Sequence, residues 1–283
     1  MQTGRRLRYL LLVLLTGILI VPSSAQEPYH YVAYDNIEFC YPVSLSSSIQ
    51  IEMLDTVLHT PSRFIEEMYP RHIRFSFLDY PNGMSFEMPY PFLTPRIHVY
   101  GTDAIREFGQ GFSAGYDALA ALLSERPDLA TYAGASVTQF ETRLPFLPWV
   151  SQSQILRSHP EYIEIDGGTG IRYLTVYTMG YDLITDRRVF YTFQGIAADG
   201  RAYISAILPV KTDVLPEFAD ATSIDTDTFS ANYDQYLTDV VAQLSVLPDE
   251  AFSPSLTTLD ALVGSIVVDP DVDLEPTIDS PNC

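Results

Sequence analysis

Residues 161–208 read EYIEIDGGTGIRYLTVYTMGYDLITDRRVFYTFQGIAADGRAYISAIL, and this stretch decides the fold. It contains four runs rich in β-branched and aromatic residues in which apolar and polar side chains alternate, the pattern of β-strands. The links at 166–170 and 198–200 are short and carry the Asp-Gly pairs of tight turns. Because short links force neighbouring strands to be antiparallel, the stretch predicts a meander. Its strands are predicted at 161–165, 171–179, 188–195 and 201–208.

The rest of the chain adds strands before this meander and helices on either side of it. Strand patterns occur at 31–41, 49–54, 73–78 and 96–100, and helix patterns at 103–110, 113–126, 229–247 and 255–267. No regular β-α-β alternation is present, so we predict an α+β fold in which helices pack against one antiparallel sheet. We expect a single domain over 26–269, with a helical insertion at about 102–160. The acidic tail 270–283 is predicted to be disordered.

Charge excludes several classes of partner. The 283 residues include 16 Lys plus Arg against 36 Asp plus Glu, a formal charge of −20, and Lys211 is the only lysine. Nucleic-acid binding needs clustered basic residues to contact phosphates, and a polybasic membrane surface needs several lysines or arginines together. We therefore expect no nucleic acid, and no membrane span in the mature chain because no later stretch has enough consecutive apolar residues.

The first 25 residues have the pattern of a signal peptide. Arg5, Arg6 and Arg8 precede an apolar run at 9–21, and small residues before Gln26 fit a cleavage site. Cleavage there leaves 13 basic against 36 acidic residues, a charge of −23, and places the mature protein outside the cytoplasm. An uncleaved anchor and a twin-arginine signal are the alternatives.

The only two cysteines are candidates for a disulfide. Cys40 lies in a predicted strand and Cys283 is the last residue, so a bond between them would attach the tail to the body of the protein. The alternative is a buried free Cys40 and an exposed Cys283 that cross-links two chains. The spacing does not decide between them.

Three stretches carry a resemblance to a known family: Ile37-Glu-Phe-Cys-Tyr-Pro42, the pair Tyr191-Thr-Phe-Gln-Gly195 and Tyr203-Ile-Ser205, and Leu259-Asp-Ala-Leu-Val-Gly-Ser265. They resemble domains related to the photosystem protein PsbP and the Ran-binding protein Mog1. The string around Tyr191 and Tyr203 also resembles one shared by a functionally uncharacterised group of bacterial secreted proteins. The resemblance covers about half of the mature chain and implies a PsbP/Mog1-like fold used for binding and assembly, without catalysis.

Short motifs suggest chemistry but have simpler interpretations. Gly111-Phe-Ser113-Ala-Gly115 matches the G-x-S-x-G pattern of a nucleophile elbow, yet a helix pattern precedes it, so we interpret Ser113 as a helix N-cap. The spaced acids after Asp269 lack the Gly and Glu of an EF-hand calcium loop. The five histidines are scattered, without the close spacing of zinc ligands. We assign no catalytic, cofactor-binding or metal-binding residue and expect no cofactor.

Four tyrosines of the meander are the remaining candidates for a ligand site: Tyr173, Tyr177, Tyr191 and Tyr203. Exposed aromatic rings stack on sugars or peptides, whereas buried ones pack beneath helices. We favour an exported, non-enzymatic binding or assembly domain whose partner is an extracytoplasmic protein or saccharide. The alternative is an extracellular hydrolase that uses carboxylates, and among 36 acids the sequence singles out no pair.

The signal-peptide hypothesis makes a direct prediction. Mass spectrometry of the exported protein is expected to show an N-terminus at Gln26, with or without cyclisation of the glutamine. Intact Met1 recovered from the membrane fraction would contradict it.

Overall fold

The computed structural model describes residues 27–58, 60, 64–81, 93–135, 143–220 and 225–269. The predicted signal peptide, the acidic tail and Cys283 lie outside these residues. Helices occupy α1 Thr102–Phe108, α2 Gln110–Glu125, α3 Thr226–Ala231, α4 Tyr233–Ser245 and α5 Leu256–Gly264. In chain order the strands β1 to β13 are Tyr29–Tyr34, Ile37–Pro42, Ser48–Leu54, His72–Leu78, Arg96–Gly101, Gly134–Ala135, Ser153–Ile165, Gly168–Thr178, Phe190–Ala197, Ala202–Pro209, Lys211–Thr212, Phe252–Ser253 and Val267–Val268.

An eight-stranded antiparallel sheet dominates the molecule, in the order β3-β4-β5-β10-β9-β8-β7-β6. The predicted meander forms its larger part, since β7 to β10 pair in sequence order and β10 also pairs with β5. The α+β class and the antiparallel pairing are therefore confirmed. Two small sheets accompany it, β1-β2-β13 and β11-β12.

Both faces of the large sheet are covered. On one, which we call the α5 face, Phe75, Leu174 and Phe193 pack with apolar residues of α4, α5 and the β1–β2 hairpin. On the other, the α2 face, Tyr100 and Tyr203 pack with apolar residues of α1 and α2. The sheet is thus the middle of three layers, and the side chains of its central strands β9 and β10 are buried on both sides.

Three boundaries differ from the sequence predictions. Residues 31–41 are a hairpin rather than one strand, because Asp35 adopts a left-handed turn conformation with φ of 57°. Strand β7 begins at Ser153 and continues through Pro160, so the helical insertion ends earlier than 160. A bulge between Ser158 and Glu161 accommodates the proline, which cannot donate to a ladder. The helix at 229–247 is two helices that meet at Asn232.

Helix α5 shows the predicted apolar stripe. Ser255 caps the helix by accepting from the amide of Thr258, and the residues of the stripe are all buried: Leu256, Leu259, Leu262, Val263 and Ile266. They belong to the core on the α5 face. None of the helices in the described part of the chain is long and apolar enough to cross a bilayer.

The buried stripe predicts a large loss of stability on truncation. Leu262→Ala removes a side chain that is 1% exposed and is expected to lower the free energy of unfolding by about 2–5 kcal/mol. Val246→Ala, at a side chain that is 80% exposed, is the control and is expected to change it by less than about 0.5 kcal/mol. Chemical denaturation measures both. An equal, small effect of the two substitutions would show that α5 does not belong to the core.

Candidate functional site

The four tyrosines of the meander are not available to a ligand. Tyr173, Tyr191 and Tyr203 are fully buried, and Tyr177 is 7% exposed. Burial raises the pKa of all four hydroxyls, so they remain protonated donors. Their burial supports the interpretation that these tyrosines pack beneath helices. They do not face a ligand.

Two glutamines on the α2 face hold the connector between α2 and β7. Gln154 accepts from the amide of Leu144 at 2.9 Å and donates to the carbonyl of the same residue at 3.2 Å. Gln194 makes the same pair of bonds with Leu147, at 3.0 and 3.3 Å. Each side-chain amide thereby makes the pair of hydrogen bonds that the main chain of a neighbouring strand would make. The buried N–H and C=O groups of the connector are satisfied in this way. We call residues 143–152 the strap.

The G-x-S-x-G serine lies neither on a strand-to-helix elbow nor at an N-cap. Ser113 lies one turn inside α2, and its hydroxyl donates to the carbonyl of Ile105 at 3.3 Å. The predicted cap is therefore wrong, because the helix already begins at Gln110.

The two glycines of this motif allow the strap to approach α2. A β-carbon on Gly111 would overlap the indole of Trp149, and one on Gly115 would lie 3.1 Å from the side chain of Leu147. Since the glycines are four residues apart, both face the strap. The motif is thus explained by close packing.

The pairing of β4 with β5 brings two histidines together. The rings of His72 and His98 lie 4.9 Å apart, and Nε2 of His72 and both ring nitrogens of His98 are buried without a hydrogen-bond partner. Burial lowers the pKa of His72 to about 4 and holds that of His98 well below its usual value, so both rings are neutral at neutral pH. The described residues add no third His, Cys, Asp or Glu that would complete a metal site with them.

Cys40 is disulfide-bonded, while Cys283 lies outside the described residues. The main chain of Cys40 is held by Ser265, whose hydroxyl accepts from its amide at 2.9 Å and donates to its carbonyl at 3.1 Å. These bonds fix this part of β2 against the end of α5.

A cleft of about 400 Å³ lies where one end of the large sheet meets the β1-β2-β13 sheet. This volume falls within the range of small-molecule sites. Its polar lining comes from the β1–β2 turn, from the start of β4 and from the turn before β10: Asp35, Asn36, Arg71, His72 and Arg201. Its apolar lining includes Ile37, Met53, Ile73, Val99, Ala202 and Val268. The cleft therefore combines an apolar wall with a few polar groups, as ligand sites do.

A second polar cluster lies on the α5 face around Arg172, which is 3% exposed. Its guanidinium contacts Glu161 at 2.6 Å, Asp249 at 3.0 Å and Asp260 at 3.5 Å, and Tyr191 donates to Asp260 at 2.9 Å. The three carboxylates come from β7, from the turn before β12 and from α5. Arg172 thus ties three separate elements to the sheet.

This cluster holds more negative than positive charge. Three carboxylates share one guanidinium, and their nearest oxygens lie within 4.8 Å of one another. Burial, together with Asp249 and Glu161, raises the pKa of Asp260 to about 6 and outweighs Arg172 and Tyr191, which favour the ionised form. Chemically, Asp260 is a carboxylic acid that takes up a proton in mild acid.

Sequence reasoning missed both the cleft and the Arg172 cluster. The cleft arginines Arg71 and Arg201 are far apart in the chain and precede different strands. The cluster had one usable signal, because Arg172 is a charged residue at an inward position of a strand whose other inward side chains are apolar. A buried arginine requires carboxylates, although the sequence does not show which ones.

Comparison of the chain with family models, with curated proteins and with solved structures finds no match. The resemblance described above therefore stays a hypothesis.

The raised pKa of Asp260 predicts a pH-dependent effect of Asp260→Asn. A folded-state pKa of about 6, above the usual 3.8, contributes stability at low pH that is lost as the pH rises through about 6. The neutral variant avoids this loss, so relative to the wild type its free energy of unfolding should rise by about 1–3 kcal/mol between pH 4 and pH 7. Denaturation at several pH values measures the difference.

Asp239→Asn, at an exposed carboxylate on α4, is the control for this experiment. An Asp260→Asn variant that loses stability relative to the wild type as the pH rises would show that Arg172 prevails over burial.

Proposed function

We propose that the chain is an exported, non-enzymatic binding module that takes its ligand in the cleft at the end of the large sheet. The observation that carries this proposal is the lining of the cleft, which combines Arg71 and Arg201 with apolar residues and in which Asp35 is the single carboxylate among the described lining residues. Such a lining recognises a ligand but supplies no acid–base pair of carboxylates.

The partner class follows from charge and from the predicted export. A protein with a formal charge of −20 repels nucleic acid, so we propose an extracytoplasmic protein or saccharide as the partner. The resemblance to PsbP- and Mog1-related domains also supports a role in binding or assembly.

An extracellular hydrolase is the second candidate function, and the Arg172 cluster is the observation that favours it. Asp260, whose pKa is raised to about 6, lies beside the carboxyl groups of Glu161 and Asp249, and glycoside hydrolysis uses a pair of such groups as acid and base. Against it, the guanidinium of Arg172 contacts all three carboxylates, with hydrogen bonds to Glu161 and Asp249 and a distance of 3.5 Å to Asp260. The cluster is therefore better explained as a link between β7, α5 and the turn before β12.

Filling the cleft tests the proposed function. Ala104 lines the cleft from α1, so Ala104→Trp is expected to abolish binding to an array of extracytoplasmic saccharides and peptides. Ala242→Trp, at an exposed position of α4 that does not line the cleft, is the matched control and should bind like the wild type.

A wild-type protein that binds nothing on the array, or binding that survives Ala104→Trp, would contradict the proposal. Cleavage of an array polymer that is lost on Asp260→Asn would favour the hydrolase.

A further inference from the structure

We infer that the cleft recognises a carboxylate group of its ligand through Arg71 and Arg201. This inference rests on the proposed function, because it names the chemistry of the ligand that the cleft takes. In the whole chain, acidic residues outnumber basic residues by 36 to 16.

Of the eleven arginines in the described part of the chain, just over half have a carboxylate partner within that part. Six arginines in the described part of the chain form ion pairs with Asp or Glu: Arg74, Arg106, Arg126, Arg172, Arg187 and Arg188. Arg71 and Arg201 have no carboxylate oxygen within 4 Å among the described residues, and both line the same cleft. Two guanidinium groups in one cleft therefore have no direct ion pair with a described carboxylate, although Asp35 also lines the cleft.

The contacts of these two arginines leave most of their donors available. Nη2 of Arg71 contacts the sulfur of Met53 at 3.1 Å, and sulfur is a weak acceptor. Nε of Arg201 donates to the carbonyl of Ala198 at 3.3 Å, which leaves its two Nη groups for another partner. Both guanidinium groups therefore retain N–H donors with which to hold a ligand.

The backbone presents both arginines from fixed positions. The amide of Arg71 donates to Thr56 at 3.0 Å, immediately before β4. The amide of Arg201 donates to Ala198 at 3.0 Å within the tight turn that leads into β10. Each arginine therefore loses less conformational freedom on binding than one on a long flexible loop.

A single carboxylate fits this site better than a multiply charged anion. The planar guanidinium donates two parallel N–H groups, which match the two oxygens of a carboxylate. The strong negative charge of the whole molecule repels anions at long range, and this repulsion grows with the charge of the ligand. The apolar wall formed by Ile73, Val99 and Val268 accommodates an uncharged body attached to the carboxylate.

Two kinds of extracytoplasmic molecule supply this chemistry, namely saccharides with uronic-acid units and peptides with a free C-terminal carboxylate. Their shared feature is one carboxylate on a neutral body. Paired probes separate the sources, with D-glucuronate compared with D-glucose and N-acetylalanine compared with its amide.

Titration calorimetry of the full mature chain tests the inference with these four probes at millimolar concentration. At least one carboxylate probe is expected to bind, whereas its neutral counterpart does not. Arg71→Gln and Arg201→Gln should each weaken the binding by roughly 10- to 100-fold, the loss expected for a hydrogen bond between charged groups. Added salt should weaken it as well, because both arginines are exposed.

Arg187→Gln is the matched control, since Arg187 lies outside the cleft and pairs with Glu217. It should bind the probe like the wild type, and thermal melts of all three variants confirm folding. Arg71→Lys and Arg201→Lys, which keep the charge but lose the planar pair of donors, should show a smaller loss.

Failure of both carboxylate probes to bind would overturn the inference, as would equal binding of acid and neutral probes. Array binding that is blocked by Ala104→Trp but unchanged by Arg71→Gln and Arg201→Gln would leave the proposed function intact and reject the carboxylate. Probe binding that depends on the arginines but is unaffected by Ala104→Trp would reject the cleft as its location, and this inference with it.

Discussion

Polar side chains that are buried beneath the helices and connectors need hydrogen-bond partners inside the protein, because they are out of reach of solvent. On the α2 face of the large sheet the buried side chains include two glutamines as well as tyrosines. Gln154 and Gln194 meet this need by pairing with the main chain of the strap at Leu144 and Leu147. These bonds hold a segment that belongs to no strand against the sheet, and its approach to α2 requires Gly111.

The same demand for internal partners explains how the few basic residues are used. Arg172 is buried on the α5 face and serves three carboxylates at once, which leaves the protonation of Asp260 as the remaining way to balance their charge. The cleft shows the opposite distribution, because Arg71 and Arg201 have no ion pair among the described residues. A chain with few basic residues therefore uses one buried arginine to link three elements and places two others along the cleft.

Patterns of local origin could be predicted from the sequence, whereas contacts between distant residues could not. Alternation and turn chemistry are properties of a few consecutive residues, so the meander and the stripe of α5 were found. The turn at Asp35 was missed because Asp-Asn lacks the glycine that usually marks a hairpin. Pro160 suggested a break, yet a bulge accommodates it. Arg71 and Arg201 line the same cleft only because of the order of the strands in the sheet. No local sequence pattern determines that order.

The pairing of β2 with β13 constrains the order in which the elements of the protein fold. Asn36 and Asp269 are 233 residues apart, and they exchange hydrogen bonds of 2.8 and 2.9 Å at the end of this pairing. A chain emerges from the ribosome with its N-terminus first, so β2 waits with an open edge until almost the whole sequence has been made. Closing so long a loop costs entropy that only the assembled core can offset. The β1–β2 hairpin is thus synthesised among the first elements and completed among the last, and the cleft that it borders is finished at the same moment.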